Sequence, residues 1–368
     1  MVYLVSLPVA YVLSFIKIKR QMLLSLLLVL LMWWLMTNVS VTHSFDTSAY
    51  EYMYSLSPDT HRFESGYMHM SYFFYTHGFS YIQFRGWLFG GALALLWISV
   101  IRFGANPLTF FSIFAVVPFF VEITQVRNFV MISIVIFGLS FLKNKGMINR
   151  LFGAILIVIS SLFQSSGLLF LIIPILLLLR IESLKSTFVP MYFIATGLMY
   201  FVHYLLPKSV FGLVLSVVFS IIGRSNSSDA VALYSQGSSA SATIGYVLAA
   251  GVIVSFWKII LDRHPTFLNE PTKVLFLTVF VALISIVLLA ASADYERYIR
   301  NSLTITAIAF SIYEKNFVKT FRQSIHFWTG ILVVLLISTF AWKYWDTTMT
   351  GRFQFLPYLI HLWKDGGF

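Results

Sequence analysis

Three arginines stand where guanidinium groups could meet a diphosphate. Arg127 follows Gln125-Val126 at the start of one apolar run; Arg297 and Arg300 follow Asp294-Tyr295-Glu296 at the start of another, three residues apart and so expected on one helical face. A planar guanidinium recognises phosphate through paired hydrogen bonds and stabilises charge developing on a phosphate leaving group. Carboxylates able to take a proton from a hydroxyl nucleophile stand upstream, at Asp46 and Glu64, in a tyrosine-rich segment. Glu64 can also pair with Arg62 or Arg127 and simply hold that segment. Tyr50 and Tyr67 offer aromatic faces of the kind that pack on sugar rings, although interfacial anchoring is the commoner use of such tyrosines. Arg224 lies in a Ser-rich stretch with the composition of a flexible lid or linker. These segments carry no Asp-x-Asp pair, and His61, His69 and His77 recur every eight residues, a spacing that fits neither adjacent helix turns nor zinc. The expected chemistry is therefore metal-independent and uses no cofactor.

The elements that position these groups must cross a membrane. Hydrophobic residues make up 59% of the 368 positions and charged residues 11%, and a crossing needs roughly 20 apolar residues to span about 30 Å of hydrocarbon. Apolar runs at 2–16, 22–41, 84–101, 106–122, 126–142, 151–163, 168–180, 187–206, 244–261, 273–291, 301–313 and 325–342 predict an all-α, polytopic integral membrane protein. It would hold about twelve transmembrane or re-entrant helices in a single membrane domain over residues 1–368, with short helices in the outer loops. Lys17, Lys19 and Arg20 follow the first run with no basic residue before it, which holds the N-terminus outside. The absence of cysteine excludes disulfides and thiolate metal sites. The net charge of +11 belongs to inner anchors in this setting and does not imply nucleic acid.

On this topology seven of ten outer basic residues are Arg, whereas nine of fifteen inner ones are Lys. Two outer loops are long, 42–83 and 207–243, and the apolar stretch 209–222 within the second is read as interfacial or re-entrant. Between Arg150 and Arg180 only 29 residues remain for two legs and the turn Gln164-Ser165-Ser166-Gly167. Each leg then reaches roughly 20 Å, so the turn should lie below the outer surface, buried in protein or lining a wet cavity. One long tilted helix is the alternative.

Asp46-(x3)-Tyr50-x-Tyr52, then Glu64-x-Gly66-Tyr67, then Gln125-Val126-Arg127 opening a span, resemble the EpsG-like family of bacterial exopolysaccharide and O-antigen polymerases, the Wzy-type enzymes. The resemblance implies transfer of a growing glycan from undecaprenyl diphosphate to a sugar hydroxyl of the next lipid-linked repeat unit, at the outer face of the bacterial inner membrane. It also implies a chain-length co-polymerase as partner. Where many relatives carry His-x-Ser, this chain has Gln164-Ser165-Ser166; glutamine can bond and position but not transfer a proton. The expected assignments are Glu64, Asp46 and Arg127 as catalytic groups, with Arg297, Arg300, Arg224, Gln125, Tyr50, Tyr67 and Gln164 in substrate binding. A flippase for the same lipid-linked sugar and an O-antigen ligase are the rivals.

Overall fold

A computed structural model describes residues 21–38, 45–57, 63–116, 118–178, 184–205, 240–290 and 292–341, and among them every regular element is helical. The helices are α1 Gln21–Thr37, α2 Phe45–Ser55, α3 Ser65–Thr76, α4 Tyr81–Arg102, α5 Pro107–Phe114, α6 Pro118–Glu122, α7 Val126–Leu142, α8 Met147–Ser160, α9 Ile172–Leu178, α10 Leu184–Leu205, α11 Ala240–Arg263, α12 Glu270–Ile284, α13 Glu296–Phe317 and α14 Phe321–Ala341. Among the described residues, four segments are long and apolar enough to cross a membrane: Tyr81–Arg102, Thr243–Arg263, Glu270–Ala290 and Phe321–Ser338. Shorter apolar helices at Gln21–Thr37, Val126–Leu142, Met147–Ser160 and Ser165–Leu177 accompany them. The family of apolar helices marks an integral membrane protein; the expected first run, the stretch 209–222 and Arg224 lie outside the described residues.

One expected span is divided. The run 106–122 forms α5 and α6 separately, because Pro118 lacks the N–H that a continuing helix would use and its ring crowds the preceding turn. Asn106 caps α5 by accepting from the Leu108 N–H at 3.1 Å, with Pro107 at the first helical position. The expected runs 151–163 and 168–180 are separate: α8 ends at Ser160, Gln164 is extended (φ −155°, ψ 121°), and Ser165–Leu171 continues as a 3₁₀ turn into α9. The single tilted helix is thereby replaced by the short hairpin. With 14 residues, α8 is about 21 Å long.

Small residues set the closest contacts. A Cβ on Gly138 of α7 would meet the Gly153 carbonyl oxygen of α8 at 2.8 Å, so the two backbones touch only because both positions are glycine. The centre of the bundle is α13, most of whose residues are buried although many are polar. Two of its hydroxyls bond locally, Ser302 to the Ile299 carbonyl at 2.6 Å and Ser311 to the Ala307 carbonyl at 2.8 Å, while Thr306 accepts from the Trp257 indole at 3.1 Å.

The two ends of the bundle differ in composition. At one end Arg102 donates to Ser140 at 2.8 Å and lies over the Phe141 ring at 3.8 Å, Lys145 pairs with Glu270 at 3.2 Å, and Lys315 donates to the Gly104 carbonyl at 3.0 Å. The starts of α3, α4, α7 and α13 gather at the other end, joined by the contacts described next.

Candidate functional site

Glu64 is the N-cap of α3, but its carboxylate makes no capping bond to its own helix. It forms an ion pair with the Arg127 guanidinium and accepts from the Ser165 N–H at 3.1 Å. The orphan N–H groups of the α3 first turn are met instead by the end of α8: Gly66 and Tyr67 both donate to the Leu162 carbonyl, at 2.9 and 3.2 Å. The Glu-x-Gly-Tyr element thus docks α3 on the short hairpin and points its glutamate outward from the helix.

Arg127, in the first turn of α7, is held on three sides. Its Nη1 meets Glu64, its Nε donates to the Tyr50 hydroxyl at 3.1 Å, and its guanidinium lies over the Phe63 ring at 4.2 Å and the Tyr50 ring at 5.4 Å. The ion pair is shielded yet reachable, with side-chain exposures of 15% for Arg127 and 11% for Glu64. Tyr67 is buried behind it, 6.0 Å from the Tyr50 ring. Its hydroxyl has no hydrogen-bond partner among the described residues. Burial pushes that hydroxyl well above the ordinary tyrosine value; the neighbouring phenols Tyr81 and Tyr50 add to the rise, and Arg127 and Arg85 oppose it.

Arg300, itself fully buried, organises a second cluster. Its Nε donates to Glu122 at 2.9 Å, its Nη1 to Glu296, and its Nη2 to the Gln125 side-chain oxygen at 2.7 Å. Asn128 donates to both Glu122 oxygens at 2.9 Å and to Asn301 at 3.2 Å. One guanidinium therefore ties α13 to the turn that carries Gln125 and Arg127. Arg297, expected to share its face, does not join it: the side chain folds back to the Asp294 carbonyl at 2.7 Å. Three residues of helical advance put one arginine in the core and the other at its edge.

Asp46 lies partly buried in the first turn of α2, one turn before Tyr50. Gln164 is buried at the break beside Glu64, its carbonyl accepting from the Gly167 N–H at 3.0 Å. His69 and His77 turn back onto the Ser65 and Phe73 carbonyls of their own helix at 2.6 and 2.7 Å.

Sequence reasoning passed over Arg85, Asn128, Glu122 and Glu296 as site residues. Arg85 is buried in the first turns of α4, donates to the Ile123 carbonyl at 2.6 Å, and so braces the turn between α6 and α7. Its signal was present: Gln83-Phe84-Arg85 repeats the Gln-x-Arg of 125–127, and Arg127-Asn128 recurs as Arg300-Asn301.

Tyr50, Glu64, Arg127 and the 164–165 break thus come from four separate segments and meet at one place. The cluster offers a carboxylate acceptor and a guanidinium donor side by side, flanked by aromatic rings. No curated protein and no solved structure matches the chain. The family model described as the EpsG family matches residues 22–360.

Proposed function

The chain belongs to the EpsG family, and we propose that it is a membrane glycosyltransferase polymerising undecaprenyl-diphosphate-linked oligosaccharide repeat units into O-antigen, capsule or exopolysaccharide at the outer face of the bacterial inner membrane. Family membership fits a polysaccharide polymerase. The observation that carries the finer reading is the Glu64–Arg127 pair, built from the elements whose order resembles the family and closed by the Ser165 amide.

In this reading a sugar hydroxyl of the acceptor attacks the anomeric carbon of the lipid-linked donor. The bond from that carbon to the diphosphate oxygen breaks as the new glycosidic bond forms. Glu64 takes the hydroxyl proton, with Asp46 as the other carboxylate on the same segment. Arg127 swings from carboxylate to diphosphate and stabilises the charge that leaves with it, the role a divalent cation plays in other transferases. Arg297 at the cluster edge is a second diphosphate contact, and Arg300 positions Gln125 and the α7 start. A chain-length co-polymerase is the expected protein partner.

A second reading, a flippase for the same lipid-linked glycan, draws support from the Arg300–Glu122–Glu296 network, because buried ionisable clusters between helices also mark transport pathways. Incubation of the purified protein with lipid-linked repeat units separates the two. Longer glycans formed without another enzyme, in the presence of a metal chelator, establish metal-independent polymerisation. Unchanged single repeats, with movement of the same lipid across vesicles, would establish transport.

A further inference from the structure

Beside the Arg127 cluster, the surface between α2 and the α3–α4 turn forms an open pocket of about 420 Å³. Small-molecule sites usually fall between roughly 300 and 1,000 Å³. Glu51, Tyr54 and Ser55 line it from α2, and Tyr75, Phe79 and Tyr81 from the other side. None of these six has a role in the reaction described above.

The pocket is preformed. Gly78 turns the chain at φ 76°, the Tyr54 hydroxyl donates to the Phe79 carbonyl at 2.8 Å, and Ser80 and Gln83 cap α4 reciprocally. Tyr54 is itself fixed from behind, stacked on Phe84 at 5.2 Å and edge-on to Tyr75 at 5.7 Å. On the open side Tyr75 and Phe79 are 42% and 37% exposed as residues. Among the described residues the Glu51 carboxylate has no hydrogen bond or ion pair. The combination of open aromatic faces with an uncommitted carboxylate at one wall suits a pyranose, whose C–H face packs on rings while paired hydroxyls donate to a carboxylate.

Its place relative to the reacting groups follows from α2. Tyr50, which receives the Arg127 Nε, precedes Tyr54 by one helical turn, about 6 Å along the axis. The aromatic chain from Tyr50 through Tyr67 and Phe84 to Tyr54 joins the two places. We propose that this pocket is a pyranose-binding subsite for the acceptor glycan, holding a sugar a short way from the reacting hydroxyl; the assignment to the acceptor rests on Glu64 acting as its base. Glu51 further sets selectivity: it welcomes a neutral or amino sugar and repels a uronic acid or phosphorylated sugar at that position.

The probe is the repeat-unit oligosaccharide released from the host strain's own lipid-linked intermediate, and the protein is the full chain purified in detergent. Saturation-transfer NMR should show contact to the ring protons of one sugar in the wild type and in Arg127→Ala. The signal should fall in Glu51→Gln and Phe79→Ala. In the polymerisation assay Glu51→Gln should raise KM for the acceptor about tenfold with kcat nearly unchanged, the loss of one charge-assisted hydrogen bond. Absence of transfer to the wild type, or equal transfer and equal KM in wild type and Glu51→Gln, would overturn the subsite even where polymerisation proceeds. Failure of Arg127→Ala to reduce turnover, with oligosaccharide contact still lost in Glu51→Gln, would overturn the catalytic reading and leave the subsite standing.

Discussion

Gly66 lies against Leu162 so closely that a single added carbon would have no room: a Cβ built on Gly66 falls 2.7 Å from the Leu162 Cβ and 2.8 Å from its carbonyl oxygen. That oxygen is the acceptor for the Gly66 and Tyr67 N–H groups. Gly66→Ala should therefore push the start of α3 off the end of α8, at an overpacking cost of about 1–3 kcal/mol. Glu64 leaves the Arg127 guanidinium in the same movement. The expected outcome is a protein still inserted and recovered, but with polymer length sharply reduced in a host lacking its own polymerase. Full-length polymer from Gly66→Ala would show that the docking of α3 is not needed.

Tyr67 and Tyr54 predict how stability responds to alkali. Burial raises Tyr67 well above the ordinary value of 10.0, and burial with the nearby Tyr75 raises Tyr54 to about 12. In both cases the folded chain keeps a proton that the unfolded chain releases above pH 10, so stability falls as pH rises beyond that value. The Tyr54 contribution is confined to the interval from about 10 to about 12. Thermal melts of detergent-solubilised protein should show this decline, flattened in Tyr67→Phe. At neutral pH that substitution should leave stability equal or raise it by about 1 kcal/mol, since the buried hydroxyl it removes has no partner among the described residues. A clear loss of stability in Tyr67→Phe at neutral pH would contradict this account.

Arg85 acts through the turn it braces. Replacing it with methionine keeps much of the apolar volume over Phe89 but leaves the buried Ile123 carbonyl without its donor, at a cost of about 1–3 kcal/mol. The α6–α7 turn positions both Gln125 and Arg127, so activity per folded molecule should fall as well. Arg85→Lys is the informative companion: it restores charge without the fixed fork geometry and should recover stability more than activity. Equal activity in all three proteins would remove Arg85 from the site.

What was legible in the sequence and what was not divides along physical lines. The positions of the apolar helices follow from local hydropathy, and the break at Gln164-Ser165-Ser166 follows from too few residues between Arg150 and Arg180. The division of 106–122 was hidden because hydropathy runs unbroken through Pro118, whose effect is on hydrogen bonding and not on transfer to lipid. Glu122 and Glu296 are buried against Arg300; an acid at the end of an apolar run has the same sequence signature whether it faces water or a guanidinium. Arg297 and Arg300 were placed together by helical spacing, which fixes their angular separation but not the boundary of the core that passes between them. The Glu64–Arg127 pair, one of the alternatives open in the sequence, becomes visible only through the long-range contact of the α3 start with Leu162 beyond α8; Arg62 lies outside the described residues.

Arg300 provides the sharpest separation between framework and chemistry. Its guanidinium is fully buried and meets two carboxylates and the Gln125 amide. Arg300→Met would leave Glu122 and Glu296 without that counter-charge, and breaking a buried pair from one side typically costs about 3–5 kcal/mol. Glu122→Gln should cost less, because Arg300 retains Glu296 and the new amide can still accept from Asn128. The double variant should be less destabilised than the sum of the two singles, with a coupling of about 0.5–3 kcal/mol. Thermal unfolding of the four proteins measures this cycle, and polymer length per folded molecule measures function alongside. If Arg300 is framework, Arg300→Met loses stability first and the double variant regains both stability and polymer. If it is a diphosphate ligand, Arg300→Met keeps its melting temperature and loses polymer, and restoring the balance of charge through Glu122→Gln brings nothing back. The three-way satisfaction of its side chain favours the first outcome, leaving Arg127, shielded but reachable, as the guanidinium able to change partners.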